Sequence, residues 1–408
     1  MNYRLVIVFL LGFSSGLPLA LLSSTLQAWF AFSGLPVLAT GALSLVGMPY
    51  LYRMFWGPLV DRYSLSAQLG KRRSWMLMMQ LLLLLGFNLM AWFTPDQHPY
   101  LLAGLALVMA FFSATQDVVI DAQRVEYLPV KAHGLGASVA VLGYRLALLC
   151  SGGLALIMAQ YWGWSMTYRI MGLFMGVGIL ASWYSEEPSH PQEATDKLSF
   201  SFIVPVKDLL TRPRIIPFLL FVFCYKLGEA FTTTSSGIVM PFLIQGLGFS
   251  LDTIGYVNKI LGIISILTGG LLAGVLLLRY SLYRSLLCFG LLQAMTNVLF
   301  VVLALVGKNI ALLAVAVFLD NFAAGMGSTA LVALFMQTVN KQYTGTQFSL
   351  LVAISTIPRI ASGPIAATLQ MHLGWVGLYQ CSVVCALLFV PFLWLLNDNR
   401  LLHQQPAD

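Results

Sequence analysis

Ser151-Gly152, Gly163-Trp164 and Tyr168 recur with unchanged spacing as Ser362-Gly363, Gly374-Trp375 and Tyr379, 211 residues further along a chain of 408. Two shorter matches flank them: Arg62-Tyr63-Ser64-Leu65 returns as Arg279-Tyr280-Ser281-Leu282, and Leu11-Gly12 as Leu227-Gly228. Chance explains any one of these. It does not explain three in the same order at offsets of 211 to 217. The chain reads as a duplicated unit of about 200 residues, and parallel duplication in a membrane protein points to a transporter.

Composition supplies the membrane. Hydrophobic residues make up 59% of the chain and charged residues 9%, against roughly 25% charged in soluble domains. Twelve apolar runs, over 5–31, 37–59, 75–94, 99–121, 133–159, 165–184, 215–246, 253–278, 284–306, 310–338, 345–373 and 375–396, suffice to cross about 30 Å of hydrocarbon as helices. The expected fold is an all-α membrane protein of twelve transmembrane helices in two six-helix pseudo-repeats. The expected boundaries are an N-terminal bundle over 1–184, a polar linker over 185–214, a C-terminal bundle over 215–396 and a polar tail over 397–408. The first run has no small-residue cleavage site and is expected to be retained.

The net charge of +7 reports topology and no nucleic-acid partner. Of 22 Lys and Arg, 15 lie at the termini or in alternate loops, one (Lys308) in the other set of loops, and six inside spans. That asymmetry places both termini in the cytoplasm. The five cysteines all fall in apolar spans without His or acidic neighbours, so no metal or redox centre is expected. No phosphate-binding Gly-rich loop is present, and the energy source expected is an ion gradient with no cofactor. No constellation of catalytic residues appears, and an enzyme is not expected.

The loop after the second run reads Gly57-Pro58-Leu59-Val60-Asp61-Arg62, followed by Gly70-Lys71-Arg72-Arg73. It resembles the cytoplasmic loop signature of the major facilitator superfamily, lengthened here by several residues. Glycine permits close helix approach, Asp61 can pair with a facing helix N-terminus, and the basic cluster holds the loop inside. Gly57, Asp61, Arg62 and Arg72, with Arg124, are candidate members of a cytoplasmic gate. Simple topology anchors are the other reading.

Ionisable side chains in hydrocarbon cost several kcal/mol unless paired or hydrated, so each one needs a reason. Asp117 and Asp121 share a helix face in the fourth span, with Arg124 a turn further on. This arrangement suits reversible proton binding at Asp117, or an ion pair between Asp121 and Arg124. Lys226 and Glu229 are adjacent in the seventh span, either as a structural pair or as a pair that exchanges partners with substrate or proton. Arg145, Lys259 and Arg359 are isolated cations in spans five, eight and eleven, and a hydrated cavity for an anionic substrate accounts for them. Arg53 and Arg169, nearer span ends, are expected to snorkel.

The chain resembles the AmpG family of permeases along nearly all its transmembrane length. The runs that carry this include Leu11-Gly12-Phe13-Ser14-Ser15-Gly16-Leu17-Pro18, Thr25-Leu26-Gln27-Ala28-Trp29, Ser113-Ala114-Thr115-Gln116-Asp117 and Val141-Leu142-Gly143-Tyr144-Arg145. Tyr225-Lys226-Leu227-Gly228-Glu229-Ala230, Val257-Asn258-Lys259 and Gly325-Met326-Gly327 continue it in the second half. The resemblance implies proton-coupled import of anhydro-muropeptides across the inner membrane of a Gram-negative bacterium, a flux that feeds β-lactamase induction, through a protein working as a monomer. Arg145, Lys226, Lys259 and Arg359 then pair with substrate acids. Gln27, Gln116 and Asn258 meet hydroxyls and amides, Trp29 and Tyr144 stack on sugars, and Gly16 lies beside the substrate. Asp117, Asp121 and Glu229 handle the proton. Several family members carry two further C-terminal spans, whereas this sequence ends in a short tail after the twelfth. A twelve-span siderophore permease is the alternative.

Overall fold

Hydrocarbon offers no partner to a backbone N–H or C=O, so a chain this apolar can cross it as helix or as closed barrel. The computed structural model is helical and describes residues 2–57, 60, 63–66, 68–128, 133–187, 203–233, 236–339 and 344–396. Asp61, Arg62, most of the expected linker and the tail lie outside the described residues. The first half contains α1 (Asn2–Leu22), α2 (Ser24–Phe32), α3 (Val37–Ala42), α4 (Met48–Tyr52), α5 (Lys71–Met90), α6 (Pro99–Tyr127), α7 (His133–Leu148), α8 (Ala155–Trp162) and α9 (Trp164–Tyr184). The second contains α10 (Ile203–Leu210), α11 (Ile215–Ala230), α12 (Gly262–Leu277), α13 (Leu282–Val306), α14 (Ile310–Thr338), α15 (Thr344–Leu387) and α16 (Phe389–Leu395).

Among the described residues nine helices are long and apolar enough to cross a membrane. One of them, Gln347–Leu395, runs for 49 residues and is broken at Gly374, whose φ is 67°, so it holds two of the expected spans. The second and seventh expected spans are the interrupted ones. The second is the short apolar stretch Val37–Tyr52. The seventh leaves the helix after Ala230 and resumes at Val239, where Thr232, Thr233 and Ser236 supply hydroxyls to the turn.

The residues pack as two compact units. One comprises Met1–Leu35, Leu45–Leu198 and Ser250–Tyr256; the other comprises Pro36–Ser44, Ser199–Phe249 and Val257–Asp408. Each therefore takes a short segment from the opposite half of the sequence. In the second unit the Ser44 hydroxyl donates to the carbonyl of Ile360 at 2.6 Å. A Cβ on Gly41 would lie 2.6 Å from the carbonyl oxygen of Gly363. In the first unit the amide of Leu251 donates to Gln160 Oε1 at 3.1 Å, and Gly255 lies against the carbonyl of Gly153. The Ser-Gly element is thus a close-approach surface in the second copy, and in the first copy the approach falls on the adjoining Gly153.

The rest of the repeat has a matching physical meaning. Gly163 and Gly374 both hold positive φ (78° and 67°), which lets two helices meet at a sharp corner that an L-residue would strain. Each corner delivers a Trp and a Tyr into an aromatic core. Trp164 stacks on Trp29 with centroids 5.6 Å apart, and Tyr168 packs on Trp29 and Phe87. In the second unit Trp375 and Tyr379 pack on Phe242, and Tyr379 on Phe300. Trp29 and Phe242, like Phe87 and Phe300, are 213 residues apart, so the partners repeat as well as the motif.

The two tyrosines differ at the hydroxyl. Tyr168 donates to the carbonyl of Leu21 at 2.9 Å, whereas the equally buried Tyr379 hydroxyl has no partner. Tyr168→Phe should therefore lower the apparent melting temperature in detergent, at a cost of about 1–2 kcal/mol for the lost bond and stranded carbonyl. Tyr379→Phe should leave it unchanged or raise it. Equal losses in the two variants would contradict the asymmetry.

Candidate functional site

A cavity of ≈ 260 Å³ lies in the first unit between α1, α6 and α7. Its polar lining is Ser15, Arg53, Asp117, Asp121, Arg124 and Tyr144. Asp117 is in its lining. The Ser15 hydroxyl donates to Asp117 Oδ1 at 2.5 Å, and Arg53 Nη1 stands 3.7 Å from Oδ2. The Asp117 side chain is 11% exposed and that of Arg53 42%, so a buried carboxylate faces a more accessible cation across a loose contact. Beneath them, Tyr50 donates to Ser113 at 2.8 Å and the Trp56 indole to Thr115 at 3.0 Å, which fixes α4 and the turn after it against α6. Arg53 thus reaches into the cavity to an acid and does not snorkel away, contrary to the sequence reading. The reason is the short, irregular stretch after α4, which points residue 53 back at α6. Asp121 pairs with Arg124 at 3.0 Å one turn further along the same helix.

At the end of this unit nearest the linker, Arg72 is 5% exposed and forms a two-pronged pair with Glu126, Nε to Oε2 at 3.1 Å and Nη2 to Oε1 at 2.6 Å. It is a buried clasp between α5 and α6. Glu187 caps α5 from the start of the linker, accepting from the backbone amides of Arg72 (2.8 Å) and Arg73 (3.0 Å). These are orphan donors of the first turn, and the helix dipole favours a carboxylate there. Gly70 leaves the room, since a Cβ on it would meet the Glu187 carboxyl carbon at 2.5 Å. Glu186 binds Arg4 at 2.7 Å, and its carbonyl accepts from Gln123. Glu126, Glu186 and Glu187 were not singled out in the sequence, where they read as ordinary loop acids. Gly57 is buried, but a Cβ on it would meet only the Val118 side chain at 3.8 Å, an ordinary contact, so no close helix approach requires a glycine there, contrary to the sequence reading.

In the second unit Lys226 Nζ donates to both oxygens of Glu229, at 2.7 and 2.8 Å, and to the Ser328 hydroxyl at 2.6 Å. The ammonium's three donors are all used. Asn258 and Lys259 fall in a π-helical stretch, Ile254–Leu261, a geometry that turns side chains out of the regular helical register. Asn258 is fully buried, and neither atom of its amide has a partner. Lys259 is 4% exposed. Arg359 is exposed and makes no ion pair with a described residue. In the first unit Arg145 makes no ion pair with a described residue either, and its Nε is buried without an acceptor.

Four residues expected at a substrate site serve packing instead. Trp29 is 3% exposed, stacked on Trp164 and packed at a tilt against Tyr168, so its ring is committed to the core. Gly16 is the contact point of α1 and α7, where a Cβ would fall 2.6 Å from the Tyr144 carbonyl oxygen. Gln116 is fully buried and donates its amide to the Ser14 carbonyl at 2.9 Å. Gln27 is 2% exposed with its Oε1 buried and unpartnered. These residues form a polar and aromatic spine of the bundle, which is why polar letters recur inside apolar runs there. Tyr144, by contrast, does line the cavity.

The sequence profile of the Major Facilitator Superfamily matches residues 4–363 and, a second time, 227–407. A protein of Escherichia coli K12, "Anhydromuropeptide permease", is 40% identical over 384 residues, covering 94% of this chain and 77% of its own length. The chain belongs to the AmpG family of the major facilitator superfamily. Solved superfamily structures share its fold: the nucleoside transporter NupG superposes with TM-score 0.74 at 15% identity over 96% of this chain and 99% of its own. A D-xylose-proton symporter gives 0.72 at 14% identity over 96% and 97%. The protein is accordingly a transporter and not an enzyme.

The Arg72–Glu126 clasp yields a test. Arg72→Ala leaves Glu126 buried and unpaired and should destabilise the unit by about 3–5 kcal/mol, seen as a large drop in melting temperature and in folded yield. Arg72→Leu combined with Glu126→Leu should recover much of that loss. A double variant as unstable as the single one would show that the pair does more than neutralise itself.

Proposed function

We propose that this transporter carries anhydro-muropeptides from periplasm to cytoplasm, coupled to protons, by alternating access between its two halves. The substrate class rests on 40% identity to the E. coli permease along 94% of the chain. The siderophore alternative gains no support from the relatives. The excess of Lys and Arg in alternate loops supports cytoplasmic termini; the inner membrane of a Gram-negative cell, the proton gradient as the energy source and one chain as the working unit complete the proposal.

The observation that carries the coupling is Asp117, held between the Ser15 hydroxyl and the Arg53 guanidinium in a small cavity. An ionised Asp117 retains Arg53 by charge. A protonated Asp117 no longer does, and Arg53 becomes available to a substrate carboxylate. Muropeptides bring such carboxylates. Proton and substrate thereby load together, because each relieves the other's competitor for the same cation. Deprotonation on the other side restores the Arg53–Asp117 pair and expels the acid. Arg145, exposed Arg359 and the unpartnered amide of Asn258 are the further groups best suited to meet acids and sugar hydroxyls.

Membrane vesicles given labelled anhydro-muropeptide should accumulate it under an imposed proton gradient, and a protonophore should stop accumulation. Asp117→Asn should lower concentrative uptake by about tenfold or more, the worth of one charge moved through a typical membrane potential, while exchange across an equilibrated membrane declines far less. Siderophore uptake without muropeptide uptake would overturn the substrate. Accumulation indifferent to the protonophore would overturn the coupling.

A further inference from the structure

A second buried acid lies away from the Asp117 cavity, inside the second unit. Asp320, on α14, is 0% exposed. Two neutral donors converge on one of its oxygens, the Gln293 amide at 2.7 Å and the Thr232 hydroxyl at 2.9 Å, both to Oδ1; the Thr296 hydroxyl lies 3.3 Å from Oδ1 but nearer the Gln293 carbonyl, at 2.9 Å. Oδ2 has no partner. No cation bonds to Asp320 among the described residues. Two ionisable groups act on it electrostatically, Glu229 from α11 and the Tyr379 phenol from α15. Glu229 is already bound to Lys226. α13 presents the neutral Gln293, Thr296 and Asn297, and α12 carries no ionisable residue.

An ionised carboxylate in this position would have one oxygen without a donor and no counter-charge, at a cost of several kcal/mol. A proton on Oδ2 removes the charge and leaves Oδ1 as the acceptor of the Gln293 and Thr232 bonds. Two other polar atoms of this cluster, Gln293 Oε1 and the Tyr379 hydroxyl, are also buried without partners. Three orphans around one acid mark a site whose hydrogen bonding is incomplete in this conformation.

The duplicated half shows that the fold does not require an acid here. Gln80 lies 213 residues before Gln293, the offset of the aromatic partners. It is bonded only to neutral groups: Ser182 donates to its Oε1 at 2.8 Å, and its amide reaches Ser14 at 3.5 Å. An amide and two hydroxyls suffice to close that bundle. A carboxyl kept neutral for packing alone would gain nothing over asparagine. A carboxyl that takes up and releases a proton would.

We propose that Asp320 is a proton-binding site in the second unit, separate from Asp117, and that its proton is exchanged during the transport cycle. The first part stands on Asp320 alone; the second rests on the transport reading above. Infrared difference spectra of the purified full-length protein at neutral pH should contain a carboxylic-acid C=O band that is absent from Asp320→Asn. In Thr232→Val the band should move to higher frequency, because Oδ1 loses one of its donors; a merely structural residue elsewhere would not be moved. In vesicles, the ratio of proton-driven accumulation to counterflow should fall by about tenfold in Asp320→Asn, since one charge fewer is moved per cycle. Absence of the band overturns the proton site. A band with an unaltered ratio overturns the exchange, as does accumulation by the unaltered protein driven by a sodium gradient at clamped pH. Vesicles that move no muropeptide at all strike the substrate reading, while the infrared bands still decide whether Asp320 holds a proton.

Discussion

Polar atoms removed from water must find partners within the chain, and in a bilayer the alternative is hydrocarbon. Much of the arrangement described above follows from that constraint. Lys226 spends its three donors on Glu229 and Ser328. Arg72 is tolerated at 5% exposure because Glu126 takes its guanidinium edge-on. Glu187 answers the open amides of α5, and Tyr168 answers a carbonyl of α1. Some atoms escape the constraint: Asn258, Arg145 Nε and Asp320 Oδ2 are buried without partners and fall where ligand or proton traffic is proposed, whereas others, Gln27 Oε1 and Gln116 Oε1 among them, lie in the packed spine.

Close approach of helices is the second requirement. Apolar burial does little to drive helices together when lipid is as apolar as leucine, so packing depends on small residues that bring backbones into contact. Gly12, Gly16 and Gly143 make that contact between α1 and α7, and Gly269 and Gly325 make it between α12 and α14. The duplicated Ser-Gly, Gly-Trp and Tyr elements belong to this scaffold. They recur because each copy must turn a corner with positive φ and fill the same aromatic niche.

The halves part company in their charges. Among the described residues, Asp117 with Arg53 has no counterpart in the second unit, and Lys226 with Glu229 and Ser328 has none in the first. The Gln80 and Gln293 positions make the contrast sharpest, one bonded to serines and the other to an aspartate. Symmetry supplies two units that fold alike; the chemistry is carried by the substitutions that break it.

Span length, span number and the duplicated core were legible in the sequence. Membrane insertion depends on the summed transfer of consecutive residues, and corners and close approaches leave a local signature. Asp117, Lys226 and Asn258 were legible for a related reason, since a polar residue inside an apolar run is conspicuous one letter at a time. The partners were not. Arg53 meets Asp117, Arg72 meets Glu126 across 54 residues and Thr232 meets Asp320 across 88, and no periodicity encodes such distances. The same blindness sent Trp29, Gly16 and Gln116 to a substrate site. Whether a polar or aromatic side chain faces a cavity or a neighbouring helix is decided by how helices remote in sequence come together, and so only by the tertiary structure.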